Sequence, residues 1–306
     1  MPASPRHRHI LSGRWFVGGL AFLLSSALLG CSPTAMPGRT VAPAEALLET
    51  DVGARDLFTI PYVEAGVAMR AQLFRPAGAG PFRLALIAHG SAQSPAARAQ
   101  ADFPQFPALA AWLNRRGYAV LIAERPGHGR AGGPYREDQG PCLSPDYLGS
   151  ARATAGAIAA ALAFGLDLEG ISNAPALVIG NSAGGWGALA LAGDRARIGA
   201  IIGIAAGRGG RNLGRAENNC APDRLVAAAG ALGTGAGVPT LLLYAENDSY
   251  FAPALARELA AAYRGAGADA EFVLLPPIKG DGHALALAPE AVWAGALDAF
   301  LARNGL

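Results

Sequence analysis

The chain has 306 residues, 52% hydrophobic and 16% charged, enough for one large domain with a full core, although length alone would allow two. Formal net charge is +2, and acids and bases alternate along the sequence; without a concentrated basic face, a nucleic-acid partner is excluded. Lys279 is the sole lysine, and the abundance of Gly, Ala, Pro and Arg fits a GC-rich genome, so the arginine count carries no functional weight.

Arg6, Arg8 and Arg14 precede an apolar run over 15–29 that ends at Leu28-Leu29-Gly30-Cys31. A basic start, a short apolar stretch and a small residue before the cut describe an export signal. A spanning helix needs about 20 apolar residues, and this run is shorter and interrupted by Gly18, Gly19, Ser25 and Ser26. The Leu-Leu-Gly-Cys ending resembles the lipobox of bacterial lipoproteins, which implies that Cys31 becomes a lipidated first residue. An ordinary secretory signal or an uncleaved anchor is the alternative. Ser32 follows the cysteine where lipoproteins retained at the inner membrane carry an aspartate. The expected location is therefore the cell envelope, facing the periplasm from the outer membrane. Residues 32–55, rich in Pro, Ala and Thr, read as a flexible tether, and 56–306 as the folded domain. Cys142 and Cys220 remain once Cys31 is taken, and an oxidising compartment permits one disulfide between them.

Beyond the tether, short apolar runs alternate with helical stretches, the pattern of an α/β domain with a mostly parallel sheet flanked by helices. Strands are predicted over 57–62, 67–74, 83–88, 118–123, 176–179, 198–205, 240–244 and 271–275. Helices are predicted over 106–116, 147–164, from the 180–184 turn to about 192, around 224–231, over 253–265 and over 289–302. The glycine-rich stretch 207–237 reads as a lid-like insert. Arg208 and Arg211 within it would suit an acidic substrate group, but solvated surface arginines are the expectation. Neither a repeat nor a second domain boundary is visible.

Gly180-Asn181-Ser182-Ala183-Gly184 follows four apolar residues and precedes a helix-compatible run, the context of a G-x-S-x-G nucleophile elbow. His89-Gly90-Ser91-Ala92 follows the 83–88 strand, Arg125-Pro126-Gly127-His128-Gly129-Arg130 follows the 118–123 strand, and Gly280-Asp281-Gly282-His283 follows the last strand. From about residue 57 to the C-terminus these elements resemble the α/β-hydrolase superfamily. The 244–251 stretch and the Gly-Asp-Gly-His loop look most like bacterial dienelactone hydrolase-related proteins. Those enzymes use a cysteine nucleophile where this chain has Ser182, which points to a carboxylesterase and away from dienelactone itself.

The resemblance implies the chain order serine, acid, histidine. Of His7, His9, His89, His128 and His283, only His283 follows Ser182, so it is the candidate base that takes the hydroxyl proton. Asp248, just past the 240–244 strand, is the candidate acid, with Glu246 the runner-up and a helix-capping role for Asp248 the plainer alternative. Asp281 lies too close to His283 in sequence to orient its ring. The oxyanion hole is expected from the Ala183 and Ser91 N–H groups, with Ala92 next in line; His89 and His128 are then structural. The implied reaction is hydrolysis of a small-molecule carboxylic ester through an acyl-enzyme, with no metal or organic cofactor. A peptidase or acyltransferase on the same residues is the alternative, as is an inactive envelope-binding lipoprotein.

Overall fold

The computed structural model describes residues 55–306. The lipobox cysteine Cys31, the signal segment 1–31 and all but the last residue of the expected tether 32–55 lie outside the described residues. That tether ends one residue too late: Arg55 already pairs with Phe74 as the first residue of a strand.

Eight strands form one sheet: β1 (Arg55–Tyr62), β2 (Val67–Phe74), β3 (Arg83–Ala88), β4 (Tyr118–Glu124), β5 (Ala176–Asn181), β6 (Ile198–Ile204), β7 (Thr240–Ala245) and β8 (Ala270–Leu275). Their order is β1-β2-β4-β3-β5-β6-β7-β8. The two pairings at the β1 end are antiparallel and the other five are parallel. The helices are α1 (Pro95–Ala99), α2 (Pro107–Asn114), α3 (Tyr147–Leu166), α4 (Ala183–Leu189), α5 (Pro222–Gly233), α6 (Pro253–Gly265) and α7 (Glu290–Arg303).

The period-two geometry of a strand explains the layers. In β4, Ala119, Leu121 and Ala123 enter one core while Tyr118, Val120 and Ile122 enter the other. The first core takes Ile158 and Leu162 of α3, Leu225 of α5 and Leu259 of α6. The second takes α2 and α7, where Trp112 and Trp293 meet edge to face with ring centroids 5.7 Å apart. With both faces covered, the parallel strands read as continuous apolar runs.

Most predicted elements stand where expected, with ends moved by a residue or two. Helix α1 was not anticipated: five residues are too few for a periodic signal, although Ser94 caps it by accepting from Ala97 N–H and Pro95 opens it. The 207–237 insert divides. Its first half borders the site described below, whereas α5 is a layer helix with Leu225 fully buried.

Candidate active site

The C-terminal ends of β3, β5, β7 and β8 open on one edge of the sheet, where parallel α/β sheets bind ligands. Ser182 sits between β5 and α4 with φ 53° and ψ −119°, a conformation that strains a residue bearing a Cβ. The flanking glycines are obligatory. A Cβ on Gly180 would run into the backbone of Gly184 and Gly185, and one on Gly184 into the carbonyl oxygens of Ala88 and His89. The turn is therefore pressed against the start of the loop after β3, the loop that carries Ser91.

His283 Nε2 lies 3.0 Å from Ser182 Oγ. On the other side of the ring, Nδ1 lies 3.1 and 3.2 Å from the two carboxylate oxygens of Asp248. Asp248 is fully buried and its Oδ1 also accepts from the N–H groups of Tyr250 (2.8 Å) and Phe251 (3.0 Å). It thus folds its own loop and faces the imidazole; the helix-capping alternative is not met, since α6 receives no side-chain cap. Glu246, the runner-up, is exposed, and its carboxylate makes no hydrogen bond to His283. Asp281 serves the histidine loop through its backbone. Its Oδ1 accepts from His283 N–H at 2.9 Å and Ser249 N–H at 3.0 Å, tying the loop after β7 to the loop after β8. Burial pushes the Asp281 carboxyl up, but the hydrogen bonds from Ser249 and His283 outweigh it and hold the group below its ordinary value.

Two neighbours of the ring were missed. Tyr250 stacks on His283 with centroids 4.0 Å apart and planes at 18°, and Phe251 packs at 5.5 Å. The only signal was an aromatic pair placed two and three residues after the candidate acid. Ala183 is buried and, as the first residue of α4, presents an N–H with no acceptor inside the helix. Ser91 lines the same cleft as Ser182 and Ala183.

No family model matches the chain, and no curated protein matches it in sequence. Solved structures do match. An esterase of Pyrococcus furiosus, Pf2001, superposes with a TM-score of 0.58 at 15% identity, over 82% of this chain and 93% of its own. A cold-adapted esterase from an Arctic intertidal metagenomic library gives 0.57 at 21%, over 84% and 95%. A dienelactone hydrolase-like protein of Klebsiella pneumoniae gives 0.55 at 18%, over 82% and 98%. This chain has the α/β-hydrolase fold.

Within that hydrolase fold, a cleft of about 230 Å³ lies beside Ser182, walled by the loop after β3, by Tyr135, by Gly207–Gly210 of the insert and by Tyr250. A disulfide between Cys142 and Cys220, with Cα atoms 5.2 Å apart, joins the loop before α3 to the insert. Both walls of the cleft are thereby tied together, as expected for the pair left after Cys31.

Beneath the loop after β3 lies a buried polar cluster. The Glu137 carboxylate accepts from Arg125 Nε at 2.5 Å, Arg125 Nη2 at 3.1 Å and Arg208 Nη2 at 2.7 Å. Burial alone would push this carboxyl up, but the two guanidiniums overcome it and hold Glu137 far below the usual carboxylate range. Ser91 Oγ lies 2.8 Å from His128 Nε2 and 3.1 Å from Glu137 Oε2. Arg125 N–H donates to His89 Nε2 at 3.0 Å, which leaves the ring proton on Nδ1, 2.6 Å from the Gly90 carbonyl. These contacts fix the 89–91 backbone, so His89 and His128 are scaffold, as the sequence suggested. Arg208 departs from its expectation as a solvated surface arginine: it is only 7% exposed. Arg211 is partly exposed and bonds Ser249 Oγ at 3.1 Å.

Burial, reinforced by Arg125, drives the His128 pKa from its ordinary 6.5 down to about 4, and lowers His89 as well. Between pH 6.5 and 4 the unfolded chain binds protons that the folded chain refuses. Stability is then complete above pH 6.5 and declines as pH falls towards 4. For His128 the loss amounts to about 3 kcal/mol. Melting curves from pH 7.5 to 4.5 are expected to show a steady fall in melting temperature beginning below pH 7, and a flat profile down to pH 5 would contradict this.

Proposed function

We propose that this protein is a serine hydrolase that cleaves carboxylic esters through an acyl-enzyme. The observation that carries the reading is the unbroken line from Ser182 Oγ through His283 to the buried Asp248, with contacts of 3.0 and 3.1 Å. A hydroxyl is a poor nucleophile until a base takes its proton. His283 Nε2 is within reach to do so, and Asp248 fixes the tautomer with the proton on Nδ1 and steadies the imidazolium that follows. Ser182 Oγ bonds to the ester carbonyl carbon, the carbonyl electrons move onto oxygen, and the oxyanion is held by the N–H groups of Ala183 and Ser91. The leaving alcohol takes the proton from His283. Water then attacks the acyl-enzyme, gives its proton to His283, and Ser182 recovers it as the acid departs.

Esterases among the fold neighbours support an ester over an amide. The test is a series of 4-nitrophenyl esters of increasing acyl length, run beside aminoacyl anilides. Turnover of short esters with negligible anilide cleavage is expected, because the cleft is small; faster anilide cleavage would overturn the ester assignment. We further propose that the lipobox at Cys31 anchors the domain in the cell envelope. Lipid labelling lost in Cys31→Ala is the check, and labelling retained by that variant would refute the anchor.

A further inference from the structure

Three guanidiniums and one carboxylate converge around the cleft beside Ser182. Arg125 and Arg208 share Glu137. Arg208 Nη1 also donates to Tyr135 Oη at 2.6 Å, while its Nε is buried without an acceptor. Arg98 is 8% exposed and sits over the Tyr135 ring, its guanidinium carbon 3.7 Å from the centroid. Its Nη1 donates to the carbonyls of Ala92 and Gln93 at 3.0 and 2.9 Å. Among the described residues Arg98 forms no ion pair. Both Arg98 and Arg208 line the cleft that holds Ser182. The acid that also lines it, Asp138, is exposed at the rim and accepts from Gly140 N–H. Arg125 and Arg208 share the one buried carboxylate of Glu137, and Arg98 has no carboxylate partner among the described residues, so the wall keeps a net positive charge even with Asp138 at the rim.

Burying a charge without a counter-ion costs free energy that an anionic ligand recovers on binding. A guanidinium also recognises carboxylate with directional, charge-assisted bonds. From this geometry we infer that the ester cleaved at Ser182 carries a second, anionic group, a carboxylate that binds between Arg98 and Arg208 while the scissile carbonyl sits at the nucleophile. The inference rests on the ester-hydrolase reading and adds to it the class of substrate: monoesters of dicarboxylic acids, or esters of hydroxy acids. Arg98 and Arg208 act by positioning, since neither touches the bond that breaks.

The experiment pairs anionic esters with neutral counterparts on the intact protein. Mono-4-nitrophenyl glutarate against 4-nitrophenyl butyrate places the carboxylate on the acyl side; 4-acetoxybenzoate against its methyl ester places it on the alcohol side. For at least one pair, kcat/KM is expected to favour the anion by roughly tenfold to a hundredfold, the range of a hydrogen bond to a charged group. Arg98→Gln is expected to collapse that ratio, chiefly through KM, and Arg98→Lys to retain part of it. Equal or better turnover of both neutral esters by the wild type would overturn the anionic site and leave the esterase reading standing. If no ester turns over, the esterase reading fails, and the site is judged by melting of the Ser182→Ala protein. A rise with millimolar glutarate that glutaramide does not give supports it, and no difference overturns it.

Discussion

Ester hydrolysis is expected to vanish in Ser182→Ala, with kcat reduced on the order of 10⁶-fold if the three residues act as a unit. The change removes one oxygen and nothing else. Ser182 already carries a Cβ at φ 53°, so alanine meets the same backbone strain as serine. Its main-chain bonds, N–H to Ile204 O at 2.9 Å and carbonyl to Trp186 N–H at 2.9 Å, do not involve the side chain. Only the hydrogen bond to His283 is lost, worth about 1 kcal/mol. The melting temperature is therefore expected to stay close to the wild type while turnover disappears. A rate above a few per cent of wild type in the folded variant would mean that another group attacks the ester.

Asp248→Asn is expected to cost about 10⁴-fold in kcat, whereas Glu246→Gln leaves it within about twofold, as for an exposed side chain remote from the ring. The reason is the direction of the proton. Asparagine can still accept from Tyr250 and Phe251 N–H through its carbonyl oxygen, so the loop has what it needs to form. Its amide nitrogen then faces His283 Nδ1 and donates to it. That selects the tautomer with the proton on Nε2, which can no longer take one from Ser182. Because the defect is a tautomer and not a lost fold, the variant should melt normally and bind substrate with little change in KM. A large loss in Glu246→Gln with a small one in Asp248→Asn would reverse the assignment of the acid.

The sheet was legible because its central strands are short apolar runs buried on both faces and closed by turns, while edge strand β1 alternates exposed and more buried residues. Ser182 was legible because an elbow tolerates only glycine two residues either side, which leaves a readable pentapeptide. Chain order then isolated His283. What could not be read depends on convergence from afar. Glu137 sits in a polar loop without periodicity, and its burial follows from Arg125 and Arg208 arriving 12 residues before it and 71 after it. Arg208 carries no mark that separates it from Arg211; only the fold buries one beside Tyr135 and leaves the other at the surface. The stacking of Tyr250 on His283 brings together two loops that follow different strands, so spacing in sequence gives no register for it. The disulfide was permitted by counting cysteines, but its reach across the cleft is a property of the closed chain.

The central claim, that Ser182 is a nucleophile activated by His283, is tested most directly by fluorophosphonate labelling of the wild-type protein, followed by mass mapping of the adduct. These reagents report on an activated hydroxyl without assuming which ester is the substrate. The account predicts a single adduct on the peptide containing Ser182, absent from Ser182→Ala and strongly slowed in Asp248→Asn. An unlabelled wild-type protein, or an adduct that persists in Ser182→Ala, would contradict it.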